Sequence, residues 1–126
     1  MTDLVILAGG KGTRIKKLIG NIPKPLAKFN KIKFLDYLLN FYCKFNINNI
    51  FIIAGYKGNL IYNKYHGVTK NSVKINCIVE KYPIGTGGAL KFIKKKLSNN
   101  FFVVNGDSIH DFDIFELFKI KKKICR

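Results

Sequence analysis

The chain has 126 residues, a formal net charge of +16 and 48% hydrophobic residues, which suits a single domain with a packed core. Its apolar runs are too short to span a bilayer, and its N-terminus lacks the pattern of a secretory signal, so a membrane role is not expected. Its three cysteines fit neither a disulfide framework nor a zinc cluster, which favours reduced thiols and a cytoplasmic location. The lysines are spread along the whole sequence, so nucleic acid is an unlikely partner, although the charge would steer anionic ligands.

The predicted elements alternate between strands and helices. Apolar runs predict four strands, at residues 4–8, 50–54, 73–79 and 101–104. Apolar residues at helical spacing predict four helices, at about 33–46, at 59–66 with Leu60, Ile61 and Tyr65 as its apolar positions, after the loop at 80–86, and from about 113. The third strand alternates at its start as an edge strand would, and Asp113 with Glu116 forms a pair typical of a helix cap.

This alternation predicts an α/β fold with a doubly wound, mainly parallel sheet and helices on both faces. Ligands of such sheets bind at the carboxyl ends of the strands, where the strand order reverses. The loops that follow the carboxyl ends of the strands are therefore the places to look for chemistry.

A glycine-rich loop follows the first strand, at Gly9, Gly10 and Gly12. Glycines leave the backbone open to a ligand, and converging N–H groups in such a loop can bind anionic oxygens. Arg14 and Lys24 add positive charge nearby, and arginine can hold a phosphate with two parallel hydrogen bonds.

Neither common phosphate-binding motif fits this loop. The spacing from Gly9 to Gly12 differs from that of a Walker A loop, and Ile15 occupies the position of the third glycine in a dinucleotide-binding fingerprint. A plain glycine-rich turn beside surface lysines is the simpler reading of this loop alone. The Pro-Lys-Pro-Leu segment at 23–26, which follows at short range, argues against that reading.

Together these segments resemble the signature of the sugar-phosphate nucleotidyltransferases. The resemblance runs from residue 4 to about residue 115 and rests on residues 7–14, 23–26, 80–89 and 105–107. Within the family, residues 83–89 and 104–107 are most similar to the heptose 1-phosphate guanylyltransferase branch. The family fold implies the strand order 3-2-1-4, which brings the glycine loop beside Asp107.

The resemblance implies that a nucleoside triphosphate and a sugar 1-phosphate are joined by in-line attack, with release of pyrophosphate. GTP and a heptose or mannose 1-phosphate are the expected substrates. It assigns catalytic roles to Arg14, Lys24 and Asp107, with Asp107 as a Mg²⁺ ligand. It also assigns nucleotide contacts to Leu7, Ala8, Gly9, Gly10, Lys11, Gly12, Thr13, Arg14, Glu80, Pro83, Gly85, Thr86, Gly87, Gly88, Asn105 and Gly106.

Several alternatives stay open at this stage. Glu80 could accept a hydrogen bond from guanine or be an ordinary carboxylate at a strand end. Lys11 could reach the phosphates or be solvated. His66 is expected at the surface of a helix end, and His110 is expected to be a loop histidine near Asp107 without a catalytic partner.

Family members are usually much longer than this chain. Residues 1–126 are therefore expected to be a nucleotide-binding half, with the sugar-binding half and a second metal-binding aspartate absent or supplied by another chain or a homo-oligomer. A non-catalytic nucleotide-binding fragment and transfer to a non-sugar acceptor are the alternatives.

Overall fold

The computed structural model describes the backbone of residues 1–124 and the side chains of residues 1–120. Its strands are β1 (Thr2–Ala8), β2 (Lys28–Phe29), β3 (Ile32–Lys33), β4 (Asn49–Ala54), β5 (Thr69–Lys70), β6 (Val73–Val79) and β7 (Asn100–Asn105). Its α-helices are α1 (Lys16–Ile19), α2 (Phe34–Tyr42), α3 (Gly58–Tyr65), α4 (Gly85–Ile93) and α5 (Glu116–Ile124). Short 3-10 helices cover Lys24–Leu26 and Lys94–Lys96.

Five strands form one sheet in the order β5-β6-β4-β1-β7, and β2 pairs with β3 in a small separate hairpin. The pairs β1–β4, β1–β7 and β4–β6 are parallel, which confirms the predicted order of the four long strands. The register aligns Ala8 with Ala54 and Leu7 with Asn105, so the strands end at one common edge. The loops that follow these ends are thereby brought together.

Two apolar layers sandwich the sheet. Side chains of α2 and α3 join Leu4, Ile6, Ile50 and Ile52 in the larger cluster, with residues around the start of α5 packed against it. The smaller cluster places Ala89 and Ile93 of α4 on Val5, Phe51 and Ile53. Consecutive residues of β1 and β4 enter opposite clusters, which explains why these central strands are apolar without alternation. Helices on both faces were predicted and are confirmed.

The edge of the sheet differs from the prediction. β6 is not the outermost strand, because β5 pairs with it in an antiparallel hairpin. The turn between them uses Asn71 and Ser72 at φ +47° and +66°, which is the backbone of a tight hairpin turn. β5 escaped prediction because it has two residues and no apolar pattern.

Helix details also differ. α2 ends at Tyr42 rather than near 46, and Leu60 is exposed on α3 while Ile61 and Tyr65 are buried. The predicted cap pairing between Asp113 and Glu116 is wrong in part. Asp113 accepts a hydrogen bond from the Phe115 amide at 2.9 Å, but the Glu116 carboxylate contacts Lys119 instead of reaching back. Lys119, one helical turn onward, attracts the Glu116 carboxylate, which explains why Glu116 does not turn back toward the start of the helix.

Within the described residues, Cys43 and Cys77 are free and buried, and Cys125 lies outside them. None of the helices in this part of the chain is long and apolar enough to cross a membrane.

Candidate functional site

The loops after the parallel strands converge on one cleft. Gly9 follows β1, Gly55 follows β4, and Glu80 follows β6, where its amide donates to the Ala54 carbonyl at 2.8 Å. A Cβ added at Gly55 would lie 2.7 Å from the Gly9 carbonyl oxygen, and one added at Gly9 would lie 2.9 Å from Glu80 Oε2. Gly55 therefore has no room for a side chain, because the backbone of Gly9 lies against it, whereas the contact at Gly9 is with the movable end of the Glu80 side chain.

The last strand joins this arrangement through Gly106. Its amide donates to the Leu7 carbonyl oxygen at 2.8 Å, and a Cβ there would lie 2.9 Å from the same oxygen. Gly106 thus extends the contact between β7 and β1 beyond the end of β7. Asp107 is held at the cleft by this contact.

The cleft has two adjoining cavities that share Leu7, Gly10 and Asp107. The first, which we call the loop cavity, has a volume of about 480 Å³. Its other lining residues come from the glycine loop, the Pro-Lys-Pro-Leu segment and the end of β7: Ala8, Gly12, Thr13, Arg14, Ile15, Lys24, Pro25 and Gly106. Cations and open backbone therefore dominate this half of the cleft.

The second, which we call the helix cavity, has a volume of about 410 Å³ and lies at the start of α4. Its other lining residues are Gly9, Ile53, Glu80, Pro83, Gly85, Thr86, Ala89 and Asn105. Its walls combine apolar side chains, open backbone and the Glu80 carboxylate. This half suits a flat, uncharged group with hydrogen-bond donors.

The Pro-Lys-Pro-Leu segment presents Lys24 to the loop cavity by burying its neighbours. Pro23, Pro25 and Leu26 are buried, whereas the Lys24 side chain is 41% exposed. Gly12 has a φ of +60°, and a Cβ added there would lie 3.3 Å from Lys24 Cβ. The two halves of the signature therefore pack directly on each other.

Lys24 forms an ion pair with Asp107 across the loop cavity, with Nζ 2.9 Å from Oδ2. The Ser108 hydroxyl donates to the other oxygen, Oδ1, at 3.0 Å. The hydrogen bond from Lys24 is the main cause that lowers the pKa of Asp107, and Ser108 acts in the same direction. Asp107 is therefore held as a carboxylate.

Glu80 occupies a different environment. Burial of its carboxylate raises its pKa, since a charged group loses hydration there. The two acids of the cleft are thus distinguished, with Asp107 paired to a cation and Glu80 partly desolvated. A donor from a ligand would satisfy Glu80.

A neighbouring loop tethers the segment that leads into the Pro-Lys-Pro-Leu motif. The Tyr56 hydroxyl contacts Asn21 Oδ1, and Lys57 Nζ donates to the Asn21 carbonyl at 2.8 Å. Sequence reasoning missed this tether, because nothing in the order of residues links 21 to 56. It fixes one end of the loop that carries Arg14.

The structure brings most of the predicted site residues together. Lining the two cavities are Leu7, Ala8, Gly9, Gly10, Gly12, Thr13, Arg14, Lys24, Glu80, Pro83, Gly85, Thr86, Asn105, Gly106 and Asp107. This placement supports the predicted set, although the role of each residue stays a prediction.

Three predicted residues do not line this cleft. Lys11 borders a small adjacent hollow with Tyr56 and Tyr82 instead. Gly88 faces back into its own helix entry, where an added Cβ would lie 2.9 Å from Ile84 Cβ, and Gly87 faces open space. Of the three glycines at the start of α4, only Gly85 lines the cleft, and their spacing in the sequence could not show this difference.

Both histidines match their predicted surroundings. His66 is exposed at the end of α3, where Nδ1 accepts a hydrogen bond from the Cys77 amide at 3.0 Å. His110 is an exposed loop residue beside Phe112 and lines neither cavity. Residues that were missed include Ile15, which follows the glycine loop, and Ile53, which lies near the end of β4.

The fold is that of the nucleotidyl transferase family. The nucleotidyl transferase family matches residues 4–124, and the chain belongs to that family.

Among curated proteins of this family, the chain is similar to two heptose 1-phosphate guanylyltransferases. The chain is 38% identical over 121 residues to D-glycero-alpha-D-manno-heptose 1-phosphate guanylyltransferase of Campylobacter jejuni, covering 96% of this chain and 54% of that protein. It is 33% identical to the enzyme of the same name from Aneurinibacillus thermoaerophilus, covering 93% and 51%. The chain therefore spans about half the length of these relatives.

Solved structures of similar proteins have the same fold as this chain. HddC from Yersinia pseudotuberculosis superposes with a TM-score of 0.81 at 34% identity, covering 96% of this chain and 54% of that one. HddC complexed with GMP-PN superposes with a TM-score of 0.80 at 36% identity.

Proposed function

We propose that this chain binds GTP and transfers its guanylyl group to a sugar 1-phosphate, a heptose 1-phosphate or a mannose 1-phosphate, with release of pyrophosphate. The observation that carries the proposal is the division of charge in the cleft. Arg14 and Lys24 border the loop cavity, whereas Glu80 borders the helix cavity. A nucleotide has the matching division between its anionic phosphates and its hydrogen-bonding base.

The loop cavity is the proposed triphosphate site. Backbone N–H groups of the glycine loop and the guanidinium of Arg14 would bind the β- and γ-phosphates. Lys24 would lie between the α-phosphate and the incoming sugar phosphate. An oxygen of the sugar phosphate then attacks the α-phosphorus in line, the bond to the β-phosphate bridging oxygen breaks, and pyrophosphate departs. Positioning and charge neutralisation supply the catalysis.

The helix cavity is the proposed base site. Guanine presents a ring N–H and an exocyclic amine on one edge, and one carboxylate can accept from both. Glu80 supplies that carboxylate beside the apolar walls formed by Ile53 and Ala89. We expect Glu80→Gln to weaken GTP binding by about tenfold, as for loss of a charge-assisted hydrogen bond, and to change ATP and UTP binding little.

The residues fit a divalent cation at Asp107. Its Oδ2 already holds a cationic group, the Lys24 ammonium, at 2.9 Å, so the carboxylate is directed at a position where positive charge is stable. The described residues include no group of three acids, histidines or cysteines that could hold a metal. Mg²⁺ commonly takes one or two carboxylates and completes its shell with phosphates and water. When bound, Mg²⁺ would neutralise charge developing on the phosphates.

The relatives are about twice as long as this chain, so the nucleotide site and the sugar site need not both lie within residues 1–126. We propose that residues 1–126 are the nucleotide-binding half and that the sugar site comes from outside them, through a further segment or a second chain. The relatives' names favour a sugar acceptor over a non-sugar one. If no acceptor site is supplied, the chain acts as a nucleotide-binding module. The predicted cytoplasmic location stays a prediction.

Two measurements test this function. Calorimetric titration with a non-hydrolysable GTP analogue should show binding that Arg14→Ala weakens at least tenfold. Pyrophosphate release with GTP and a panel of sugar 1-phosphates should occur for a heptose or mannose 1-phosphate. Binding without turnover supports the module, and absence of binding for every nucleoside triphosphate contradicts both functions.

A further inference from the structure

We propose that Lys24 has a second role in the ligand-free protein, as an internal placeholder for the metal that couples metal binding to nucleotide binding. The inference rests on the proposed function, because it assigns the cation at Asp107 and the phosphates beside Lys24 to one reaction. The placeholder role differs from the proposed catalytic role of Lys24, because it concerns the contact between Lys24 and Asp107 before any ligand binds.

The first support is the occupancy of the Asp107 carboxylate. Lys24 Nζ lies 2.9 Å from Oδ2, and the Ser108 hydroxyl lies 3.0 Å from Oδ1. Both oxygens therefore have donors, and the one that faces Lys24 is bound to a full positive charge. A divalent cation that takes Oδ2 must displace the ammonium, because the two cations would repel each other at contact distance.

The second support is that the displacement costs little. The side chains of Lys24 and Asp107 are 41% and 43% exposed, so water reaches both partners. Half-exposed ion pairs contribute little to stability and exchange partners readily. A contact of this kind can hold a carboxylate in place without trapping it, whereas a buried pair could not be opened by a ligand.

The third support is the anchoring of Lys24. Its backbone lies between buried prolines at 23 and 25, and its Cβ lies close to the glycine loop. The ammonium can therefore move between Asp107 and the loop cavity by rotation of its side chain alone. Phosphate in the loop cavity offers Lys24 an alternative anion, which frees Oδ2 for the metal.

A thermodynamic coupling follows. Whichever ligand binds first must break the contact between Lys24 and Asp107, and the second ligand does not meet that cost again. Metal and nucleotide therefore each raise the affinity for the other, by the same factor, beyond their direct contact. Ser108 has a positioning role, since its hydrogen bond to Oδ1 keeps the carboxylate oriented while Lys24 exchanges for the metal.

The test measures metal alone, using Mn²⁺ as the probe and the electron paramagnetic resonance signal of free Mn²⁺ as the readout. In nucleotide-free protein, Lys24→Met should bind Mn²⁺ about two- to five-fold more tightly than the wild type, the range that loss of a half-exposed ion pair predicts. Arg14→Met is the matched control, because it removes a charge from the same cavity without touching Asp107. Asp107→Asn combined with Lys24→Met should show no gain.

A gain for Lys24→Met well above that for Arg14→Met supports the placeholder. An equal or smaller gain, or no detectable Mn²⁺ binding in any variant, overturns it, since the contact then does not compete with metal. If Lys24→Met fails to fold by circular dichroism, Lys24→Gln provides the same comparison. A gain that persists without the Asp107 carboxylate also contradicts the proposal.

A second measurement tests the coupling from the side of the nucleotide. The increase in affinity for the GTP analogue on replacing EDTA with Mg²⁺ should be smaller in Lys24→Met than in the wild type by the same two- to five-fold factor. An unchanged increase overturns the coupling. Failure of the wild type to bind the analogue in either buffer contradicts the proposed function instead, and the Mn²⁺ comparison still decides the placeholder.

Discussion

Replacement of Gly106 by alanine tests the contact that sets Asp107 against the glycine loop. The added Cβ would lie 2.9 Å from the Leu7 carbonyl oxygen and 3.2 Å from Ala8 Cα, whereas ordinary van der Waals contact begins at 3.4 Å. Both neighbours belong to the central strand β1, so no flexible side chain can move aside. The Gly106 amide also donates to that carbonyl at 2.8 Å, so relief of the clash stretches this hydrogen bond.

The expected cost combines these two effects. Overpacking of a close-packed site costs about 1–3 kcal/mol, and a weakened backbone hydrogen bond adds about 0.5–1.5 kcal/mol. We therefore expect Gly106→Ala to lower the free energy of unfolding by about 1.5–4.5 kcal/mol. For a domain of this size, such a loss lowers Tm by roughly 6–17 °C.

The assay is thermal unfolding followed by circular dichroism, with Gly87→Ala as the matched control. Gly87 lies inside α4 and an added Cβ meets nothing within 4 Å, so the same methyl group should raise stability by about 0.5–1 kcal/mol. An unchanged Tm for Gly106→Ala, or an equal shift in both variants, would refute the steric argument. Affinity for the GTP analogue should fall in Gly106→Ala below its unfolding temperature, because Asp107 and Asn105 move with the strand end.

Three further predictions concern the core and the ion pair. The buried Asp3 carboxylate accepts from Asn49 Nδ2 at 2.9 Å and from the Ser98 amide at 2.7 Å, so Asp3→Ala should cost about 2–4 kcal/mol in chemical denaturation, whereas exposed Asp111→Ala should cost almost nothing. Burial raises the pKa of Cys77 to about 12, so a thiol reagent at pH 8 should label it only when the protein unfolds, and rapid labelling in native buffer would show that β6 opens. Lys24 holds the pKa of Asp107 below its usual 3.8, so the contribution of their pair, at most ~1 kcal/mol, is present above that pH and disappears as the pH falls through the lowered value. The stability difference between the wild type and Lys24→Met should shrink in the same acidic range, and a difference that does not change between neutral pH and the pH at which Asp107 is protonated would contradict this origin.

Residues that line the cleft could be predicted where they lie close together in the sequence. The glycine loop and the Pro-Lys-Pro-Leu segment lie within a few residues of each other, so their residue types indicate an anion site directly. Strand alternation then predicts that Asp107 lies at the same edge of the sheet. The prediction fails at Gly87 and Gly88, because a helix of uncertain start leaves open which glycines face the cleft.

What the sequence determined by itself is the alternation of strands and helices, the apolar layers on both faces of the sheet and the glycine loop after the first strand, since apolar periodicity and glycine placement act over short stretches. The order of the strands followed from the family resemblance and not from these local patterns. Only the tertiary structure decided which partners meet across long separations. Lys24 and Asp107 are 83 residues apart, and Asn21 lies 35 residues from Tyr56. Side-chain contacts of this kind depend on how the loops pack against each other in three dimensions, which the pattern of residue types does not encode.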